Sequence, residues 1–202
     1  VPVIRFSGPI GMATPLRPGL SIAALAVSTF KGTYGLPIAL LLWVRGDRLW
    51  VTDIDVVWIF DLKTKRGRSL ALPEVGFAND PAVMDNVLYV SDNRNDMLFR
   101  VEPADFLNMA GDPKITKVFA GKGVSPNGLY PAKDGSLLIV GFKSKEEPRP
   151  IFSLAPGGEP KALSKPIGRL DGIYQMQDGS LLVTDWDSGS LLSWNAKSGA
   201  QP

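Results

Sequence analysis

The chain has 202 residues, 45% hydrophobic and 21% charged, a composition that supports a globular fold with a real core and excludes disorder as its main content. Its 22 Lys and Arg stand against 20 Asp and Glu, and the resulting formal charge of +2 is dispersed along the chain, which argues against a nucleic-acid groove. Cysteine and histidine are both absent, which excludes disulfides, thiolate chemistry, imidazole metal ligands and Ser-His-Asp or Cys-His arrangements; carboxylates, amides and lysine remain.

The chain begins at Val1, as a processed, trimmed or partial product would, and its first acidic residue is Asp47. Val3 to Phe6 is a candidate strand for closing a ring of sheets, and Ser7-Gly8-Pro9-Ile10 opens a unit too short for four strands. Residues 1–35 are therefore expected to form a degenerate first unit plus a closing strand. The apolar stretches Leu20 to Phe30 and Leu36 to Val44 are separated by Lys31 and a Gly, Thr and Tyr cluster. Neither reaches the roughly 18 to 20 apolar residues of a spanning helix, so buried strands and a soluble chain without a membrane span are expected.

From residue 36 to 197 the chain repeats itself. Asn127-Gly128-Leu129-Tyr130 followed by Asp134-Gly135-Ser136-Leu137-Leu138-Ile139-Val140 matches Asp171-Gly172-Ile173-Tyr174 followed by Asp178-Gly179-Ser180-Leu181-Leu182-Val183-Thr184, at an offset of 44 residues without a gap. A third copy runs from Asn79-Asp80-Pro81 to Ser91-Asp92. A fourth runs from Leu36-Pro37-Ile38-Ala39 through Gly46-Asp47 to Thr52-Asp53. Each unit reads as a short apolar strand, an Asp-Gly type hairpin turn, a strand rich in Leu, Val and Ile, another turn and a third strand. The last unit stops after its third strand, Ser190 to Trp194.

The unit ends Asp53, Asp92, Gly141 and Asp185 lie 39, 49 and 44 residues apart, the size of a four-stranded blade. A single such sheet has two apolar faces and cannot bury them alone, so neighbours must stack. One hairpin repeat would serve a sandwich equally well, whereas four in series favour an all-β fold of one domain, a β-propeller of four-stranded antiparallel blades. The sequence supplies four clear blades and one degenerate or incomplete N-terminal one.

Turns that start the blades of a propeller surround its central channel, so equivalent positions converge there. Asn79, Asp80, Asn127 and Asp171 occupy those positions in three consecutive units. A carboxylate with amide oxygens suits a hard divalent cation. Each of these residues also has an ordinary use as a turn former, and Asp53, Asp92 and Asp185, with Thr or Ser before them, read as blade-stabilising hydrogen-bond acceptors. Of the five tryptophans, Trp186 is the one nominated for the channel mouth; the others read mainly as filling between blades.

Ala78-Asn79-Asp80, Ser125-Pro126-Asn127-Gly128-Leu129 and Leu170-Asp171-Gly172-Ile173, the last followed by Gly179 to Val183, resemble the senescence marker protein, gluconolactonase and luciferin-regenerating-enzyme family. The resemblance covers roughly residues 36 to 197. It implies a six-bladed propeller that hydrolyses a sugar lactone or related ester with one divalent metal, calcium first and zinc, manganese or magnesium as alternatives. Under it Asn127 and Asp171 look like metal ligands, Asp171 like the proton acceptor, and Asn79, with Asp80 after it, like substrate contacts; Trp186, from its place at the channel mouth, is the further candidate for stacking on a substrate. The family's glutamate ligand beside a Gly-Pro has no counterpart at Ser7-Gly8-Pro9-Ile10, and an arginine before the Asn-Asp pair is replaced by Phe77. The alternative is a non-catalytic propeller that binds a small ligand or a protein at the channel mouth.

Overall fold

The computed structural model describes residues 41–142 and 147–201. These form four antiparallel sheets of four strands each, with no helix among the described residues. The first sheet contains β1 (Leu42–Arg45), β2 (Arg48–Asp53), β3 (Val56–Asp61) and β4 (Gly67–Ala71). The second contains β5 (Ala78–Met84), β6 (Val87–Asp92), β7 (Met97–Glu102) and β8 (Lys114–Ala120). The third is β9 (Pro126–Pro131), β10 (Leu137–Gly141), β11 (Phe152–Leu154) and β12 (Lys161–Ala162), and the fourth is β13 (Leu170–Gln175), β14 (Leu181–Asp185), β15 (Ser190–Asn195) and β16 (Gly199–Gln201).

Every sheet is a meander in chain order, each strand pairing with the next along the chain. The first hairpin of three sheets turns on a glycine at positive φ, Gly46 at +59°, Gly135 at +81° and Gly179 at +89°, where a side chain would be strained. In the second sheet the shorter turn uses Asp85 at +53°, an aspartate tolerating what glycine adopts freely.

The first strands β1, β5, β9 and β13 lie beside one another in succession, and the sheets stack face to face around them as propeller blades. Strand alternation then sends one set of side chains into each junction. Trp43, Trp50, Val57 and Ile59 of the first sheet join Leu88, Val90, Phe99 and Val101 of the second in one buried cluster. Leu138, Val140 and Ile151 of the third sheet meet Ile173, Leu181 and Val183 of the fourth in another. Each fully buried side chain of this size contributes about 1.5–3 kcal/mol, so the junctions hold the arc together.

One expectation is corrected. The last unit does not stop after its third strand: Ala200 pairs with Trp194 and Gly199 with Asn195, so β16 completes the sheet from its own C-terminal side. The turn at Asn195 makes this possible, its side-chain oxygen accepting the amides of Lys197 and Ser198. The proposed closing strand Val3 to Phe6, the degenerate unit 1–35 and the strand Leu36 to Ala39 lie outside the described residues.

Candidate functional site

Three of the four first hairpins carry a β-bulge at the same place. The pairing of β5 with β6 jumps from Ala78–Asp92 to Pro81–Val90, leaving Asn79 and Asp80 opposite Ser91. That of β13 with β14 jumps from Leu170–Asp185 to Ile173–Val183, leaving Asp171 and Gly172 opposite Thr184. Between β9 and β10, Asn127 and Gly128 face Val140 in the same way. A bulge leaves an unpaired residue and re-aims its side chain, and that is where the candidate residues Asn79, Asp80, Asn127 and Asp171 sit.

The hydroxyls opposite the bulges repair the broken ladder. Ser91 Oγ accepts the amide of Asp80 at 2.9 Å, and Thr184 Oγ1 accepts that of Gly172 at 2.7 Å. Ser91 Oγ also donates onward to the carbonyl of Asn127 at 2.6 Å, and the equivalent hydroxyl of the first sheet, Thr52 Oγ1, donates to the carbonyl of Asn79. The aspartates that follow serve the backbone. Asp92, fully buried, accepts the amides of Gly76, Phe77, Arg94 and Asn95, and Asp185 accepts that of Arg169. The Ser91-Asp92 and Thr184-Asp185 pairs are thus hydrogen-bonding devices of their blades.

Asn127 and Asp171 meet directly, Asn127 Nδ2 donating to Asp171 Oδ1 at 2.6 Å. The other end of that amide, Asn127 Oδ1, is buried without a hydrogen-bond partner in a residue only 2% exposed. Burial pushes the Asp171 carboxyl above its ordinary value, and the Asn127 amide partly offsets this. Asp80 extends its carboxylate across the junction, where Oδ2 accepts the amide of Leu129 at 2.7 Å. Some of the residue remains accessible, but its carboxyl is densely surrounded, and this burial, with the Asp171 charge adding to it and the Leu129 amide opposing it, pushes its pKa up to about 8. Asp80 therefore holds a proton at neutral pH.

Asn79 is buried, with its carbonyl tied to Thr52. Trp186, 64% exposed, stands beside Asp171 on the wall of an open cavity of about 410 Å³ that Thr184, Ser190 and Leu191 also line. Its ring stacks on Phe142 at 6.5 Å between centroids, Arg169 lies 4.4 Å from the centre of the Phe142 ring, and Asp187 holds Arg169 at 2.9 Å. This chain of contacts backs one face of the indole. Sequence reasoning missed Ser91, Leu129, Phe142 and Arg169 as supports of the site. The hydroxyl before Asp92 was the one visible signal.

No group of three or more Asp, Glu, His or Cys side chains suited to a metal occurs among the described residues, and none of these residues forms a helix long and apolar enough to cross a membrane. No protein-family model matches the sequence, and no curated protein matches it. Among solved structures the chain is similar to virginiamycin B lyase from Staphylococcus aureus, with 19% identity and a TM-score of 0.63 over 86% of this chain and 60% of that one. A second structure of that lyase, a catalytically inactive variant with quinupristin, gives 19% identity and 0.62 over 83% and 57%. A streptogramin B lyase matches at 13% identity and 0.59, over 75% of this chain and 49% of that one. The chain thus spans about half to three-fifths of the length of these structures. Likeness at these identities shows the fold, a β-propeller.

Proposed function

We propose that the chain carries the site of a metal-dependent hydrolase of a sugar lactone or related ester, gluconolactonase-like, with Asn127 and Asp171 as ligands. The observation that carries this reading is the convergence of Asn127 and Asp171 from adjoining bulges while Asn127 Oδ1 lies buried and unpartnered. A buried amide oxygen without a donor is costly, and together with a neighbouring carboxylate it offers the oxygen ligands a hard cation prefers. A divalent cation held there would polarise a lactone carbonyl and favour negative charge on its oxygen.

The remaining roles belong to the chain itself. Asp171 accepts a proton from the attacking water as the water oxygen bonds to the carbonyl carbon, and returns it to the ring oxygen as the ring C–O bond breaks, so that a hydroxy acid results. Asp80, protonated at neutral pH, donates a hydrogen bond to a substrate oxygen, and Asn79 offers a second polar contact. The exposed Trp186 indole gives the apolar face of a sugar ring a flat surface. The lyase chemistry of the structural neighbours is less well supported: the inactive S. aureus variant replaces a histidine by alanine, and the present chain contains no histidine.

The second reading, a ligand-binding propeller without catalysis, draws support from the small number of acids: among the described residues Asp80 and Asp171 stand without a third. Calorimetric titration with Ca²⁺, Mg²⁺, Mn²⁺ and Zn²⁺, followed by a pH-indicator assay on a panel of lactones, separates the two. Binding of one ion with lactone turnover, and a loss of turnover on the order of 10²-fold or more in Asp171→Asn with the fold intact, is the expected result. Absence of binding at millimolar ion ends the hydrolase reading, and binding without turnover on any lactone or ester moves the assignment to ligand recognition.

A further inference from the structure

Arg169 stands two residues before Asp171, about 7 Å along the chain. Its carbonyl accepts the amide of Trp186 at 2.8 Å, which sets it between two residues of the candidate site. Its own amide is held by Asp185 at 3.0 Å, and its guanidinium lies 4.4 Å from the centre of the Phe142 ring, with Asp187 on Nη1 at 2.9 Å. The side chain is only 22% exposed. A guanidinium carries five N–H donors in a fixed plane. Among the described residues Asp187 is the one acceptor on that of Arg169: Nε is buried without a partner, and Nη2 has none.

Arg68 is the contrasting case, an arginine with a structural task. It too lies over an aromatic ring, Phe106, at 5.9 Å, but its two Nη atoms reach the carbonyls of Phe106, Met109 and Gly111 and the carboxylate of Asp112. Those donors are satisfied within the chain, and those of Arg169 are not. Nε and Nη2 form one edge of the guanidinium plane, and Asp187 sits on the third nitrogen, Nη1. The edge left over is a two-donor fork of the shape that a carboxylate matches. A buried N–H without an acceptor is costly, so an occupant that brings two oxygens is favoured there. Asp187 already balances part of the charge, and Asp185 stands at the Arg169 amide, so the fork suits one negative charge, a carboxylate, better than a phosphate dianion.

We propose that Arg169 is a specificity-determining residue that receives a carboxylate of the substrate, so that the preferred substrate is a lactone already bearing an acid group. The proposal rests on the hydrolase reading for the place of the reacting carbonyl, at Asn127 and Asp171. With that carbonyl at the pair and the sugar ring on Trp186, a carboxylate at the far end of the molecule meets the Nε and Nη2 edge. Phe142 and Asp187 hold the guanidinium plane in place, so little order is lost when the fork is filled. Asp80, protonated at neutral pH, adds no negative charge against such a substrate.

The γ-lactone of gluconic acid and the γ-monolactone of glucaric acid differ at one carbon, a hydroxymethyl group in the first and a carboxylate in the second, and serve as the probes. Both are offered to the wild type, Arg169→Met, Arg169→Lys and Asp187→Asn, in turnover with Ca²⁺ present and in calorimetric titration without added metal. The wild type is expected to favour the glucaric lactone on the order of 10-fold, through KM in turnover and through Kd in the titration. Arg169→Met removes that preference, Arg169→Lys keeps only part of it because an ammonium has no fork, and Asp187→Asn increases it by freeing Nη1. A structural role would not split the two lactones, since a weakened fold lowers both alike. Equal treatment of the lactones by the wild type, or a preference that survives Arg169→Met, overturns the proposal. Turnover without preference removes the carboxylate contact and leaves the hydrolase reading standing. An Arg169-dependent preference in the titration with no turnover of either lactone keeps the contact and ends the hydrolase reading.

Discussion

The junction between the second and third sheets and the junction between the third and fourth are built on equivalent positions with different chemistry. At the former, Asp80 reaches the Leu129 amide and Ser91 reaches the Asn127 carbonyl, so two polar side chains tie the sheets together. At the latter those positions are Gly128 and Val140, and neither has a polar side chain. The strands close up instead: a Cβ on Gly128 would lie 2.2 Å from the Asp171 carbonyl oxygen and 3.0 Å from Val140 Cγ2. The polar contact across this junction passes to Asn127 and Asp171. The difference teaches that the candidate site occupies the junction from which the structural tie has been removed, and that glycine at 128 is what lets the two side chains meet.

The largest effect is expected at Asp80. Folding raises its pKa to about 8, whereas the unfolded chain releases the proton near 3.8, so between these values the folded state binds the extra proton and stability declines as pH rises. Asp80→Asn keeps an acceptor for Leu129 and removes the titration. Wild type should lose on the order of 4 kcal/mol more than the variant between pH 4 and pH 9 in urea denaturation, and parallel pH profiles would remove the protonated tie from the comparison.

Next is Gly128→Ala, which places a methyl group against backbone that cannot rotate away. A loss of about 3 kcal/mol is expected, together with loss of the Asn127–Asp171 contact and hence of any ion binding by calorimetry. Ser91→Ala leaves the Asp80 amide and the Asn127 carbonyl without their shared hydroxyl and should cost about 1–2 kcal/mol in the same denaturation experiment. The smallest change is expected from Val140→Thr, which restores a hydroxyl opposite the third bulge. If the two junctions are equivalent in geometry it donates to the Asp171 carbonyl and stability stays within about 1 kcal/mol; a loss above about 2 kcal/mol would show that carbonyl to be out of reach.

Much of the fold was legible because its signals are local. The Asp-Gly turns at 134–135 and 178–179 specify the hairpin, and the Leu, Val and Ile runs that follow specify a strand, buried on both faces in β10 and chiefly on one in β14. Of the site, the sequence showed which residues are equivalent from unit to unit. It did not show that Asn127 and Asp171 touch while Asp80 turns to Leu129, because a bulge is a shift of backbone pairing that hydrophobic periodicity does not record. β16 was missed for a related reason: a three-residue strand of Gly, Ala and Gln has no pattern of its own and exists because β15 offers it an edge.

The chain by itself determined the repeat, the turns and the composition of each face, since these depend on propensities and on the two-residue alternation of a strand. Only the tertiary structure decided the proton on Asp80 and the unpartnered oxygen of Asn127. Each of these is set by what the neighbouring sheet brings into or withholds from a junction, and that depends on distances between segments some 40 to 50 residues apart, which no local pattern encodes.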